Sequence, residues 1–559
     1  MSKIIIIHPG SLYLRIGKAS DLNPEMILNC VARKRKGKDP GNIHQDSILP
    51  ESSKTKDIIH EMDESRLSVS HMLQNCLQTN GRKRYGTPSQ QLASFNKRVH
   101  PEIVSGQPEV FWLKPKEKVN TIVGAEVLRL DPNGNFNIHF PIRRGEFNIH
   151  KGIGGSMFSV LEDIRTIWEY SIKNYLDINI KDLNQYKAVL IIPDIYNRKR
   201  IKELTALIFK MGFSACFLVQ EHVAATFGSG LSYACVVDIG DQKISISCIE
   251  DALSHPNTRV SLKFGGGDVT MCFFWLLQKV AFPYKECQPN NNQDAVLLNH
   301  LKESSCHIDM NICGSQEKSF IINRPEQSPV RYVLQVADEL LIAPLSLFHT
   351  DLLKFSLGNT NRDKIIQIQK TLGQDFDSED CFNAEFLRET GRRANAGYTK
   401  DQTENSFNAN DGNAMDADDE IVVDETDKDL LKFNANDFQT STGQVSGLES
   451  AILQSIEHLP NEELKKKMYN CVLLVGGSSK IPGLARWLQT KIQQAIPLTY
   501  RTESQDIVMT PKDVDPGHIV WRGASVMAGL EASEELWITK EDFENYGVRI
   551  LREKVPFIW

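Results

Sequence analysis

The sequence predicts an α/β protein with a duplicated core, two lobes around a cleft and a long disordered insertion. Three stretches carry that expectation. The first is Ile4 to Gly17, IIIIHPGSLYLRIG, an apolar run that stops at His8-Pro9-Gly10-Ser11 and resumes as an alternating strand. Ile4–Ile7 is β-branched and too short for a buried helix, so it reads as a core strand. Gly10 is expected to supply the positive φ of a tight turn, with the N–H groups around Gly10, Ser11 and Leu12 facing an anion. Taken alone, the stretch fits an ordinary hairpin better. The second is Tyr233 to Glu250, YACVVDIGDQKISISCIE, which repeats the plan around Asp238-Ile239-Gly240-Asp241. Two such hairpins, each opening half of a chain, suggest a duplication that clamps phosphates between its halves. The third is Cys471–Val475 running into Gly476-Gly477-Ser478-Ser479 and an amphipathic helix near Pro482. A strand, a Gly-Gly turn and a helix N-terminus suit a nucleoside laid against backbone without side chains.

At 559 residues and 41% hydrophobic, the chain is long enough for two or more packed domains. A net charge of −7 argues against a protein that coats nucleic acid with its whole surface, and leaves a local basic face open. The 11 Cys have no CxxC pairing, and Cys216, Cys235, Cys248 and Cys471 fall inside apolar strand-like runs, the pattern of buried thiols in a reducing compartment. No apolar run approaches the ~20 residues that span a bilayer. The expectation is therefore the cytosol or nucleus, with no membrane partner.

Beyond the first hairpin, residues 31–119 are polar and poor in core pattern, and read as a modified small subdomain or a loose surface loop. Arg33-Lys34-Arg35-Lys36 and Arg82-Lys83-Arg84 gather positive charge there, readable as a solvated face, an import signal or a nucleic-acid contact. Val160, Ile164, Ile167, Trp168, Ile172 and Tyr175 recur at helical spacing within Phe158–Leu176. A strand is expected at Ala188–Pro193, a helix at Asn197–Met211, a strand at Ala215–Val219 and a short helix at His222–Thr226. Past the second hairpin come helices at Phe264–Lys279 and Asn299–Ile308, then Leu345–Leu353, giving a mainly helical second half. From 357 to 446 the pattern fails, and Asp416–Asp429 is an acidic run with too little apolar surface to offset the entropy of ordering it. The expected division is 1–230 for the first lobe, 231–356 and 447–500 for the second, 357–446 for the insertion, and 501–559 for a C-terminal return to the first lobe.

These pieces occur in the order and with the local wording of the actin superfamily, whose fold is ribonuclease H-like. FPIRRG…IRTIWEYSI at Phe140–Ile172 resembles actin's connecting-strand region, VVDIGD its second phosphate loop, and LLVGGSSKIPGL its adenosine motif. VWRGASVMAGL…LWITKEDFENYG at Val520–Gly547 is similar to the actin C-terminal helices, wording that heat-shock chaperones and sugar kinases lack. Further, IHPGS…LRIG, PIRRGEFNIH and the closing LREKVPFIW resemble nuclear actin-related subunits of chromatin remodellers of the INO-eighty class. The resemblance implies ATP with Mg²⁺, held by Gly10, Ser11, Leu12, Arg15, Asp238, Ile239, Gly240, Asp241, Gly476, Gly477 and Ser478, with Asp238 on the metal. The implied partners are monomeric actin, a second nuclear actin-related protein, a helix of the remodeller's ATPase subunit, histones or nucleosomes, and extranucleosomal DNA. The implied processes are transcription regulation and DNA repair.

The departures from actin bear on the chemistry. His8 stands where actin has a first-loop Asp, and a His is a poor ligand for hard Mg²⁺. Arg15 replaces the loop Lys, Glu203 is matched to the Gln that orients the attacking water, and Ser245 to its assisting His. One of three groups that hold the metal and aim the water survives, Asp238, so ATP is expected to be retained rather than turned over. The alternatives are a slow ATPase switch using Asp238 and Glu203, and a filament-forming actin, which the acidic insertion disfavours.

Overall fold

Ile5, Ile6 and Ile7 have no exposed surface, as befits a strand covered on both faces. In the computed structural model, which describes residues 3–35, 43–104, 111–116, 118–131, 134–358, 365–368, 447–500, 507–511 and 513–557, they lie inside a six-stranded sheet. Ile4–Pro9 pairs antiparallel with Tyr13–Lys18 and parallel with Lys187–Ile192. Glu25–Leu28 extends one edge, Ala215–Gln220 and Ile538–Thr539 the other. The second sheet repeats this plan. Tyr233–Ile239 pairs antiparallel with Ile244–Glu250 and parallel with Val472–Val475, with Val260–Leu262 and Val508–Met509 outside them. The duplication read from two hairpins therefore extends to strand order and direction.

The helices that cover the first sheet follow local rules. Met157–Asn174 starts at Ser156, whose side chain accepts from Ser159 N, and buries Val160, Ile164, Ile167, Trp168 and Ile172. Arg198–Met211 is capped by Asn197 and ends at Gly212, where φ is 108°. A separate core lies between the sheets, where Ile6, Val189 and Phe217 meet Val236, Leu473 and Val475. Helices Glu221–Ser229 and Ile519–Ala528 pass through it. Among the described residues no single helix is long and apolar enough to cross a membrane.

Several expectations need correction. Of the two readings of 31–119, the loose loop does not hold among the described residues: Lys56–Asn75 is a helix whose Ile58, Met62, Val69 and Leu73 are buried in the same core as the second sheet. Their neighbours in sequence are charged enough to mask the stripe. Arg33 lies in the strand Val31–Lys34 and pairs with Asp163, while Arg35 donates to Asn137 Oδ1 and Phe136 O. Arg84 is 4% exposed and pairs with Asp338 at 2.6 Å. Each basic run is thus partly engaged inside the fold, while Arg82 and Lys83 stay exposed; Lys36 lies outside the described residues. The second half also contains a hairpin, Gln316–Ile322 with Val330–Val336, that Glu102–Ile103 joins. The helix expected from Asn299 begins at Asn292. Ile366–Ile368, inside the stretch without pattern, is an edge strand on Val260–Leu262. The acidic run Asp416–Asp429 lies outside the described residues.

Candidate nucleotide site

The two hairpin turns close in the same way. Gly10 N donates to Tyr13 O at 3.0 Å, and Gly240 N to Lys243 O at 2.9 Å. A Cβ would sit 2.6 Å from Tyr13 O at Gly10 and 2.8 Å from Lys243 O at Gly240, so both positions need glycine for this close approach. Neither has positive φ, which corrects the reason expected for Gly10. Gly476 does have it, at 93°, and a Cβ there would lie 2.2 Å from Asp238 Oδ1. Gly477 has nothing within 4 Å of where its Cβ would be.

These turns meet around a cavity of about 440 Å³. Gly10, Ser11, Leu12, Arg15, Asp238, Gly240, Asp241, Gly476, Gly477 and Ser478 all line it. Ile239 does not: its side chain has no exposed surface and packs in the second-lobe core. Ser478 Oγ donates to Gly240 O at 3.0 Å, tying the Gly-Gly turn to the second hairpin, and Gly145 N donates to Ser11 Oγ at 2.9 Å.

The catalytic matches fare differently. Glu203 lies on the helix Arg198–Met211 and is not among the lining residues, so its match to actin's Gln fails. Sequence spacing alone placed it one helix too early. The acidic residue that reaches the cavity is Glu221, at the start of Glu221–Ser229. Ser245 lines a smaller crevice of about 90 Å³, and its Oγ meets His222 Nε2 at 3.1 Å. His222 is fully buried, with Nδ1 at 2.6 Å from Ser247 Oγ and 3.2 Å from Asp194 Oδ2, so it is a structural residue.

Glu221 is held on both sides. Its Oε2 accepts from Lys243 Nζ at 2.9 Å, and its Oε1 is 3.6 Å from His8 Nε2. Burial pushes its pKa up, yet Lys243 and His8 outweigh that and hold it well below the ordinary carboxylate value. Burial conversely raises Asp238, to which the Glu221 charge adds, and raises Asp241 against the pull of Lys302. Arg15 is lowered by burial and supported by Asp238 and Asp515. Lys302, Glu303, Lys480 and the Asp515–His518 turn also line the cavity and went unremarked in the sequence, although Asp515-Pro516-Gly517 is a recognisable turn signal.

A pH prediction follows from Glu221. A depressed folded-state pKa contributes stability that is present above the unfolded value of about 4.3 and is lost as pH falls through the folded value. The stability gap between the parent and Glu221→Gln, measured by urea unfolding, is expected to be widest near neutral pH and to shrink below about pH 4.5. A gap constant across that range would contradict the assignment.

The residues present fit a nucleotide with a hard cation. Arg15 Nε and Asp241 Oδ2 are buried without partners, a cationic and an anionic group both open to a ligand, and Gly477 leaves unobstructed room. Buried carboxylates with raised pKa values are stabilised by a cation brought among them.

Comparison with known proteins agrees with this geometry. The family model described as Actin matches residues 1–556. Actin-related protein 8 of Aedes aegypti is 49% identical over the whole chain and 97% of its own length. The Homo sapiens actin-related protein 8 is 37% identical, covering 100% of this chain and 92% of that protein. A solved structure, human actin-related protein Arp8 in its ATP-bound state, superposes with a TM-score of 0.83 at 36% identity, covering 100% of this chain and 97% of the other. Two sheets of one plan, hairpin turns meeting over one cavity and full-length similarity give a single conclusion: the chain belongs to the actin family, where it groups with the actin-related protein 8 sequences.

Proposed function

We propose that this protein is a nuclear scaffold subunit of an ATP-dependent chromatin-remodelling complex, in which ATP with Mg²⁺ holds the two lobes together and is retained. The observation that carries this reading is the pairing at Glu221. The cavity has room for a nucleotide, but Glu221, the wall carboxylate on the helix that opens the inter-sheet core, is bound by Lys243 and His8 rather than free to handle water. Gly10–Leu12 and Gly240–Asp241 supply backbone to the phosphates from the two sheets, Arg15 and Lys302 supply positive charge, and Asp238 organises the cation. Gly476–Ser478 lies against the nucleoside. The ATP-bound state of the human relative supports ATP as the ligand. The resemblance to nuclear remodeller subunits supports a place beside monomeric actin, a second nuclear actin-related protein and a helix of the ATPase subunit, with histones and extranucleosomal DNA as further contacts. Any DNA contact in the small subdomain falls to exposed residues such as Arg82, Lys83, Lys97 and Arg98, because Arg33, Arg35 and Arg84 are engaged internally.

A single-turnover assay tests this reading. Purified protein loaded with ATP is expected to release no phosphate above a buffer control over hours, while nucleotide stays bound through gel filtration. The competing reading, a slow ATPase switch, requires turnover that collapses in Glu221→Ala; that result would overturn the scaffold role of the nucleotide.

A further inference from the structure

Three histidines from separate pieces of chain meet outside the cavity. His44 runs beside the strand Phe136–His139, its carbonyl accepting from Ile138 N at 3.1 Å and its N–H donating to Asn137 Oδ1 at 3.1 Å. His139 ends that strand and is 5% exposed. His150 lies in the loop after Glu146–Phe147, where its N–H donates to Gly155 O at 3.0 Å and its Nδ1 accepts from Gly152 N at 3.1 Å. The His44 ring stacks on His139 at 5.0 Å between centroids and on His150 at 4.3 Å. One nitrogen of each ring lies within 4.8 Å of the other two, and this is the only such group among the described residues.

The surroundings are shaped to the rings. A Cβ at Gly154 would come within 2.3 Å of the His139 ring, and one at Gly155 within 2.5 Å of the His150 ring. Gly154 also has a φ of 81°. The glycine loop thus closes over the imidazoles because it carries no side chains there. Asp46 lies behind His44, its Oδ1 3.1 Å from Nε2, and its other oxygen accepts from Phe140 N at 2.9 Å and Asn148 Nδ2 at 3.1 Å. A carboxylate on one imidazole nitrogen fixes the tautomer and leaves the other nitrogen for a metal. Burial lowers His139 to about 4, with His44 adding to it, and burial lowers His150 in the same direction.

We propose that His44, His139 and His150 form a zinc site, with Asp46 positioning His44 and a water completing the coordination. Three imidazoles suit a borderline ion such as zinc, whereas magnesium and calcium demand oxygen ligands. Zinc–nitrogen bonds of about 2.0–2.1 Å place tetrahedral ligands about 3.4 Å apart, so the nitrogens must close by an ångström or so. Rotation of the half-buried His44 and His150 side chains supplies that movement at the cost of the stacking and of the Gly152 N–H bond to His150 Nδ1, which frees the His150 lone pair for the ion. The ion would pin the segment carrying His44 to the glycine loop. That segment also reaches the second lobe, where Ile48 N donates to Asn292 Oδ1 at 3.0 Å.

The test uses the full chain, stripped with a chelator and titrated with zinc alone against a chromogenic indicator. One equivalent is expected to bind and to raise the melting temperature. His44→Gln and His150→Gln should each lose that equivalent while melting like the parent without metal, and Asp46→Asn should weaken binding about 10–100-fold. Cobalt substitution separates the site from the free thiols, since imidazole ligation lacks the thiolate charge-transfer band. No zinc retained, binding undiminished in both His variants, or a thiolate band that persists in them would overturn the proposal.

Discussion

Gly523→Ala is expected to lower the unfolding free energy by about 3 kcal/mol or more, although it adds a single methyl group. Gly523 lies on Ile519–Ala528, where that helix crosses Glu221–Ser229 between the two sheets. Its Cβ would stand 1.6 Å from Ala224 O and 2.7 Å from Gly228 N. Gly228 faces the same crossing, and its own Cβ would meet Ile519 O at 2.3 Å. Both obstacles are backbone, so no rotamer change relieves them and the helices must part. Interiors packed at crystal-like density do not absorb a shift of that size. The same helices carry Val520 and Glu221 to the cavity wall, so ATP affinity should fall along with stability. Chemical denaturation of parent and variant gives the number; a difference within about 0.5 kcal/mol would show that the crossing is not the rigid joint described.

Gly477→Arg is expected to abolish nucleotide binding while leaving the nucleotide-free protein almost as stable as the parent. Gly477 lines the cavity, nothing lies within 4 Å of its Cβ position, and its φ is not in the left-handed region. The new side chain therefore enters the cavity without strain in the backbone and occupies the ligand's place. For the parent, ligand that binds only the folded state stabilises by about 2.7 kcal/mol at a hundredfold excess over Kd. That shift should vanish in Gly477→Arg and weaken in Asp238→Ala. Melting curves with and without ATP and Mg²⁺ measure both; an equal shift in parent and Gly477→Arg would place the nucleotide elsewhere.

The sequence by itself determined the core of this protein: two apolar runs ending in Gly turns, and a third ending in Gly476-Gly477. Those features are local, because a strand's burial, a turn's need for glycine and a helix cap are set by residues a few positions apart. Ten of the eleven expected binding residues line the cavity for that reason, and Ile239 misses it because alternate side chains on a strand point to opposite faces. What only the tertiary structure decided was set by long-range pairing. Arg33 and Arg84 looked like free charge until Asp163 and Asp338, far along the chain, were seen beside them. Lys56–Asn75 became core only when the second lobe supplied a surface for its narrow apolar stripe. Glu221, with Lys243 and His8, and the His44–His139–His150 group are likewise meetings of distant segments. No local period encodes them, because their energetics depend on burial and charge that exist only once the sheets have closed.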